Sequence, residues 1–109
     1  MTSDFKWGTL IVSCTKQLRD SGECPVPFVD CEVLPPLDGS PDGIAIWFIC
    51  DTVALKERFR VEALMSATRR LRTVAIEAGF PAASAEILRS DVTSKEDIEK
   101  GGGRFHFFR

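Results

Sequence analysis

The chain has 109 residues, of which 44% are hydrophobic and 28% charged, and its formal net charge is −2. A near-neutral charge excludes a chain that is basic overall and drawn to nucleic acid or anionic lipid by its net field. No apolar run is long enough to span a bilayer, and the polar start Met1–Asp4 does not resemble a signal peptide. We therefore expect one soluble domain over residues 1–109, in the cytoplasm, with no membrane partner.

The four cysteines are Cys14, Cys24, Cys31 and Cys50. Two disulfides would be possible by count, but a chain with enough residues for its own core and no export signal favours reduced thiols. A zinc site built from three cysteines and His106 is also possible by count. However, the closely spaced ligand pairs of structural zinc sites are missing, so we expect no metal and no cofactor.

Three strands are predicted in the first half of the chain. Lys6–Thr15 alternates in polarity and predicts a half-buried strand, and Phe28–Leu34 predicts a second strand whose Asp30 and Glu32 face water. Ile44–Cys50 is apolar throughout and predicts a strand buried on both faces, preceded by turn-forming residues.

A long amphipathic helix is predicted from Val53 to Ala78. Asp51 and Thr52 are good N-cap residues, and Gly79 followed by a proline predicts its end. Such a helix would be on the order of 40 Å long. It therefore bends, breaks near Arg60, or projects beyond the sheet towards a partner.

The last third of the chain is less regular. Ala82–Val92 fits a helix or a strand, and we favour a strand that returns to the sheet. Thr93 and Glu96 fit a capping box for a short helix, Ser94–Lys100. Arg104–Arg109 alternates and predicts a last strand. The fold class is thus α+β: a two-layer sandwich of a mostly antiparallel sheet, in the order β-β-β-α-β-α-β, with one long helix on one face.

Cys50 and His106 are the strongest candidates for a catalytic pair. A thiol just before a helix N-terminus is a potential nucleophile, and the only histidine is a potential base. The alternative is that Cys50 is simply a small buried residue at a strand end. The sequence contains no nucleophile motif that would decide for catalysis.

Basic side chains are concentrated on the predicted long helix. Residues 1–53 hold three basic and eight acidic side chains, whereas residues 54–109 hold eleven basic and eight acidic ones. Arg58, Arg69, Arg70 and Arg72 are candidates for contact with phosphates or with an acidic partner surface. The alternative is an ordinary solvated helix face, because no aromatic residue on this stretch offers a stacking surface for bases.

Two features lie near the C-terminus. Gly101–Gly103 followed by Arg104 could cradle an anion, although glycines after a short helix are more simply its C-cap. Phe105, Phe107 and Phe108 need cover, either from the core of the same chain or from a second copy at an exposed sheet edge.

Three functions follow from these features. We expect a small module for protein interaction or homodimerisation, because no catalytic constellation is evident. The alternatives are a small enzyme or ligand-binding domain with a helix–sheet pocket near Cys50 and His106, and a nucleic-acid binder acting through the basic helix face.

Overall fold

The computed structural model describes residues 6–108. Its elements, in chain order, are α1 (Lys6–Ser21), β1 (Asp30–Leu34), β2 (Ala45–Cys50), α2 (Val53–Glu62), α3 (Leu64–Glu77), α4 (Ala82–Glu86), β3 (Arg89–Ser94), α5 (Lys95–Lys100) and α6 (Arg104–Phe107). The α+β class is confirmed, while the predicted order of elements is wrong at both ends of the chain.

The first element is a helix, not the predicted strand Lys6–Thr15. The buried side chains of α1 include Ile11, Cys14 and Leu18, which recur at steps of three and four and form one stripe. The hydroxyl of Thr15 donates to the carbonyl of Ile11, as helix-buried threonines commonly do. The buried residues Gly8, Ile11, Cys14 and Thr15 follow the same period within the predicted strand, but the alternation in polarity over those positions also fits a strand.

The three strands form one mixed sheet in the order β1-β2-β3. β1 pairs antiparallel with β2, with Glu32 opposite Trp47, and β2 pairs parallel with β3, with Trp47 opposite Asp91. The prediction of a mostly antiparallel sheet is therefore wrong. The parallel pairing arises because α2, α3 and α4 carry the chain back across the sheet before β3 begins.

The main core lies on one face of the sheet, the inner face. Ile46 and Phe48 of β2 belong to a buried cluster that also includes Ile11 of α1, Phe59 of α2 and Leu71 of α3. The apolar character of the predicted strand Ile44–Cys50 is thus explained by burial, since Ile44 and Cys50 are both fully buried.

The predicted single helix is broken at Ala63. This residue has φ −131° and ψ −22°, outside the helical range, and it separates α2 from α3. Hydrogen bonding continues across the break, because the N–H of Ala63 donates to Phe59 and its carbonyl accepts from Ala67. The break allows Phe59 of α2 and Leu71 of α3 to pack into the same cluster.

The ends of this helical pair follow the sequence prediction. The Thr52 hydroxyl accepts a 3.2 Å hydrogen bond from the N–H of Leu55, which caps α2. At the end of α3, Gly79 has φ +105° and Phe80 donates back to the carbonyl of Ala75. This is the hydrogen-bond pattern of a glycine-terminated helix.

Residues 82–92, predicted as a strand, divide into α4 and most of β3. The following helix is capped by Ser94, whose hydroxyl accepts from the N–H of Asp97, and not by the predicted Thr93. Glu96, the predicted partner in that capping box, instead accepts from the N–H of Val53 at the start of α2. This contact ties α5 to the first turn of α2.

The C-terminal residues form the short helix α6 and not the predicted strand Arg104–Arg109, whose last residue lies outside the described range. Gly103 has φ +95°, which turns the chain so that α6 lies against the outer face of the sheet. There Phe107 and Phe108 make edge-to-face contacts with Trp47, with ring centroids 6.0 and 5.7 Å apart. No helix within residues 6–108 is long and apolar enough to cross a membrane.

Candidate functional site

The free edge of β3 faces the helices. The N–H of Arg89 donates to the carbonyl of Ile44, next to β2. Because the hydrogen-bonding groups of successive residues alternate between the two sides of a strand, those of Leu88, Ser90 and Val92 point away from β2.

Arginine side chains from the helices close this edge. Arg72 donates to the carbonyl of Leu88 at 3.0 Å, and Arg60 donates to that of Val92 at 3.2 Å. The N–H of Val92 donates to the carboxylate of Asp91 at 2.7 Å, and this carboxylate lies 3.6 Å from the Arg60 guanidinium. The edge therefore offers few backbone groups to a strand from another molecule.

The free edge of β1 is closed in the same manner by a residue from the C-terminus. Arg104 donates to the carbonyl of Cys31 and to the carboxylates of Asp30 and Glu32, the latter two at 2.8 and 2.6 Å. The N–H of Cys31 donates to Asp30 at 2.8 Å. Burial raises the pKa of Asp30, but the hydrogen bonds from Arg104 and Cys31 outweigh it, so the pKa lies below its ordinary value.

A protruding aromatic ring and a groove lie next to this arginine. The groove has a volume of about 380 Å³ and is lined by Glu32, Leu34, Arg104, Phe105 and Phe108. We call these five residues the C-terminal surface. Phe105 is 73% exposed, although a phenylalanine in a globular protein is usually buried. Among the predicted partner-binding residues, Phe105 and Phe108 lie together here, whereas Phe107 packs beside them against Trp47.

Cys50 and His106 lie on opposite sides of the sheet. Cys50 is fully buried in the core of the inner face, and burial raises the pKa of its thiol to about 11, with a smaller contribution from Cys24. His106 is exposed on α6, where its ring contacts Phe105. A protonated, buried thiol without a base beside it is a poor nucleophile, so this geometry gives the catalytic reading no support.

The basic helix face is largely engaged within the chain. Arg58 pairs with Glu62, Arg70 pairs with Glu23, and Arg72 turns inwards to the carbonyl of Leu88. Within residues 6–108, the side chain of Arg69 makes neither a hydrogen bond nor an ion pair, and only its backbone carbonyl accepts a bond from a side chain, that of Thr73. The candidates Arg58, Arg69, Arg70 and Arg72 therefore do not form one free cationic stripe of the kind that phosphate backbones require.

A cleft lies between α1 and α3, next to the loop that follows α1. It has a volume of about 440 Å³, and its lining includes Leu18, Cys24, Ala67, Arg69 and Arg70. A second recess of about 350 Å³ continues it and shares Leu18 and Arg70. The sequence predicted the two arginines, but not Cys24, because that residue lies in a loop more than forty positions earlier in the chain.

The glycine run is explained by helix termination. The N–H groups of Gly101, Gly102 and Gly103 donate to carbonyls of α5, namely those of Asp97, Glu99 and Ile98. With their donors engaged, the glycines are not arranged as an anion-binding nest. Across the described range of the chain, no three His, Cys, Asp or Glu side chains are grouped so that they could hold a metal ion.

Comparison with known proteins identifies no relative: no family model, no curated protein and no solved structure matches the chain.

Proposed function

We propose that this chain is a homodimerising interaction module and that two copies meet through the C-terminal surface. The observation that carries the proposal is the 73% exposed ring of Phe105 beside a groove of about 380 Å³ on the same patch. In a two-fold dimer each subunit presents the same patch to the other. A patch with both a projection and a groove is complementary to itself, so each Phe105 would enter the groove of the other copy.

The charges around the groove support a second copy as the occupant. Arg104 lies beside two carboxylates, those of Asp30 and Glu32. In an arrangement with two-fold symmetry, each copy presents charges of both signs to the other, so the patch carries no net charge that would repel a second copy. Aromatic and arginine side chains are the types that most often dominate binding energy at interfaces.

Closure of both sheet edges favours this mode of association over strand addition. The outward carbonyls of Cys31 on β1 and Val92 on β3 already accept hydrogen bonds from arginines. A strand added from a second copy would have to displace these bonds. Contact through side chains of the C-terminal surface leaves them in place.

The proposal is tested by the molar mass of the protein in solution, measured by light scattering over a range of concentrations. We expect the wild-type chain to have twice the 12.1 kDa of one copy. We expect Phe105→Ser to have the mass of one copy and to unfold in one cooperative transition. Because the replaced ring is mostly in solvent, its thermal midpoint should fall only by the stabilisation that dimerisation gives the wild type.

Val61→Ser provides the matched control. Val61 is 85% exposed on α2, so its replacement removes a comparably exposed apolar side chain from another surface. This variant should remain dimeric. A wild-type chain that stays monomeric at every concentration would refute the proposal, and so would a Phe105→Ser chain that dimerises like the wild type.

A further inference from the structure

The cleft between α1 and α3 combines an apolar floor with polar walls. Leu18 and Ala67 on its lining are 4% and 3% exposed and belong to the main core. Ser66 and Thr73 line its sides with hydroxyl groups. Its volume of about 440 Å³ lies within the range typical of sites for small organic molecules, roughly 300 to 1,000 Å³.

Arg69 gives this cleft a cationic group that no other described residue neutralises. Its side chain lines the cleft and is exposed, and within residues 6–108 it makes no hydrogen bond or ion pair. A guanidinium presents several N–H donors in one plane, which match the oxygens of a carboxylate or a phosphate.

Arg70 adds a second cation that can change partners. Its guanidinium pairs with Glu23 across the cleft, and both side chains are 53% exposed. An ion pair this exposed contributes little to stability, because solvent screens it. An incoming anionic group can therefore replace Glu23 at Arg70 at a small free-energy cost.

From these observations we infer that the α1–α3 cleft binds a small organic anion, whose apolar body lies on Leu18 and Ala67 and whose charged group is held by Arg69. A carboxylate and a phosphate share the chemistry that the arginine recognises. This site is separate from the C-terminal surface and does not depend on dimerisation.

The test uses amide chemical shifts of the full-length, isotope-labelled chain. Three probes with the same ring are titrated: benzoate, phenyl phosphate and the uncharged benzyl alcohol. We expect saturable shifts at Leu18, Ala67 and Thr73 with at least one of the anions, and an affinity for benzyl alcohol lower by about tenfold. The anion that binds more tightly then identifies the charged group that the cleft prefers.

Two arginine variants separate the cleft from general surface charge. Arg69→Ala should weaken binding of the preferred anion by about tenfold. Arg89→Ala should leave it unchanged, because the Arg89 side chain is exposed on β3 and does not line the cleft. Like that of Arg69, this side chain makes no hydrogen bond or ion pair within the described residues. Neither change affects a buried contact, and an unchanged spectrum of the free protein verifies the fold of each variant.

Three results would overturn the inference. The first is the absence of saturable shifts at the cleft residues of the wild-type chain. The second is equal affinity for benzyl alcohol and the anions, since the charged group would then contribute nothing. The third is equal binding by Arg69→Ala and the wild type. Phe105→Ser should bind the anions like the wild type, so failure of the dimer proposal would leave this inference intact.

Discussion

The two free edges of the sheet are closed with the same chemistry by different parts of the chain. On β3, Arg60 reaches the carbonyl of Val92 from α2, a helix whose Phe59 is part of the main core. On β1, Arg104 reaches the carbonyl of Cys31 from α6, more than seventy residues along the chain. In both cases an aspartate in the strand accepts the neighbouring N–H and lies next to the arginine.

Protection of the β3 edge depends on a helix of the main core, whereas protection of the β1 edge depends on a peripheral segment, α6. Helix α2 cannot leave β3 without exposing Phe59, which is fully buried. Helix α6 is held on the outer face by the hydrogen bonds of Arg104 and by the contacts of Phe107 and Phe108 with Trp47. The β1 edge is therefore the part of the sheet that the C-terminus controls, and the proposed dimer surface lies on that same segment.

Removal of residues 104–109 is expected to cause the largest loss of stability. The deletion takes away the arginine at the β1 edge and the aromatic cover of Trp47 together. We expect the free energy of unfolding to fall by about 3 kcal/mol, from lost aromatic contacts and lost burial. Urea denaturation measures the loss, and light scattering should reveal aggregation through the opened β1 edge.

Phe105→Ser in the full-length chain is the control for that deletion. It alters α6 without removing Arg104 or the phenylalanine rings that contact Trp47. At protein concentrations low enough that the wild type is also monomeric, its urea midpoint should therefore match that of the wild type. If the deleted chain is as stable and as soluble as the full-length one, the assignment of α6 as the cover of the β1 edge is wrong.

A smaller effect is expected from replacing single arginines at the two edges. Arg104→Gln should lower the free energy of unfolding by about 1 kcal/mol, since its side chain is 44% exposed and its two ion pairs are partly screened. Arg60→Gln should lower it by only about 0.5 kcal/mol, because its carboxylate contacts are longer, at 3.6 and 3.9 Å.

Urea denaturation of both variants under identical conditions makes the comparison. Arg58→Gln is a suitable control, since Glu62 on the exposed side of α2 is the one ion-pair partner of Arg58 among the described residues. A larger loss for Arg60→Gln than for Arg104→Gln would contradict the view that the β1 edge depends more on its single arginine.

The smallest expected effect concerns pH. The folded-state pKa of Asp30 is depressed, so the stability this provides is present above its unfolded pKa and is lost as pH falls through the folded value. A hydrogen bond from Lys56 likewise lowers the pKa of Asp97. The wild-type chain should therefore lose stability as the pH falls through and below about 4, the ordinary pKa of an aspartate.

The contributions of Asp30 and Asp97 to the pH dependence of stability can be separated by replacing the basic partner of each. Arg104→Gln should reduce the loss of stability at low pH by the contribution of Asp30. Lys56→Met should reduce it by the contribution of Asp97. Urea midpoints at several pH values measure both slopes. If the slope of Arg104→Gln equals that of the wild type, Asp30 does not stabilise the fold through Arg104.

The parts of the fold that were predicted correctly are those encoded by neighbouring residues. The apolar run that forms β2, the cap at Thr52 and the stop at Gly79 each depend on chemistry within a few positions. The break at Ala63 carries no glycine or proline and is set by packing of Phe59 and Leu71 into one core. The length of the predicted helix allowed a break near Arg60 as one of three outcomes. No local pattern chose among the three or placed the break at Ala63, because the packing of the core determines it.

The ends of the chain were predicted wrongly because their alternation in polarity is compatible with two periods. In α1 the buried residues Gly8, Ile11 and Cys14 follow a helical period, while the alternation in polarity over the same positions fits a strand. At the C-terminus the same phenylalanines that suggest a strand pack as a helical turn on Trp47, held by Arg104. The sequence identified Phe105 and Phe108 as surface candidates, but the partners of Arg104 are long-range and could not be inferred.

The most direct test of the proposed dimer is a spectrum of intermolecular contacts. Isotope-labelled and unlabelled chains are mixed, and nuclear Overhauser effects are recorded only between copies. We expect contacts from the Phe105 ring of one copy to the methyl groups of Leu34 and the ring of Phe108 in the other. Intermolecular contacts confined to other surfaces, such as Val61 and Met65, or none at all, would contradict the proposed dimer.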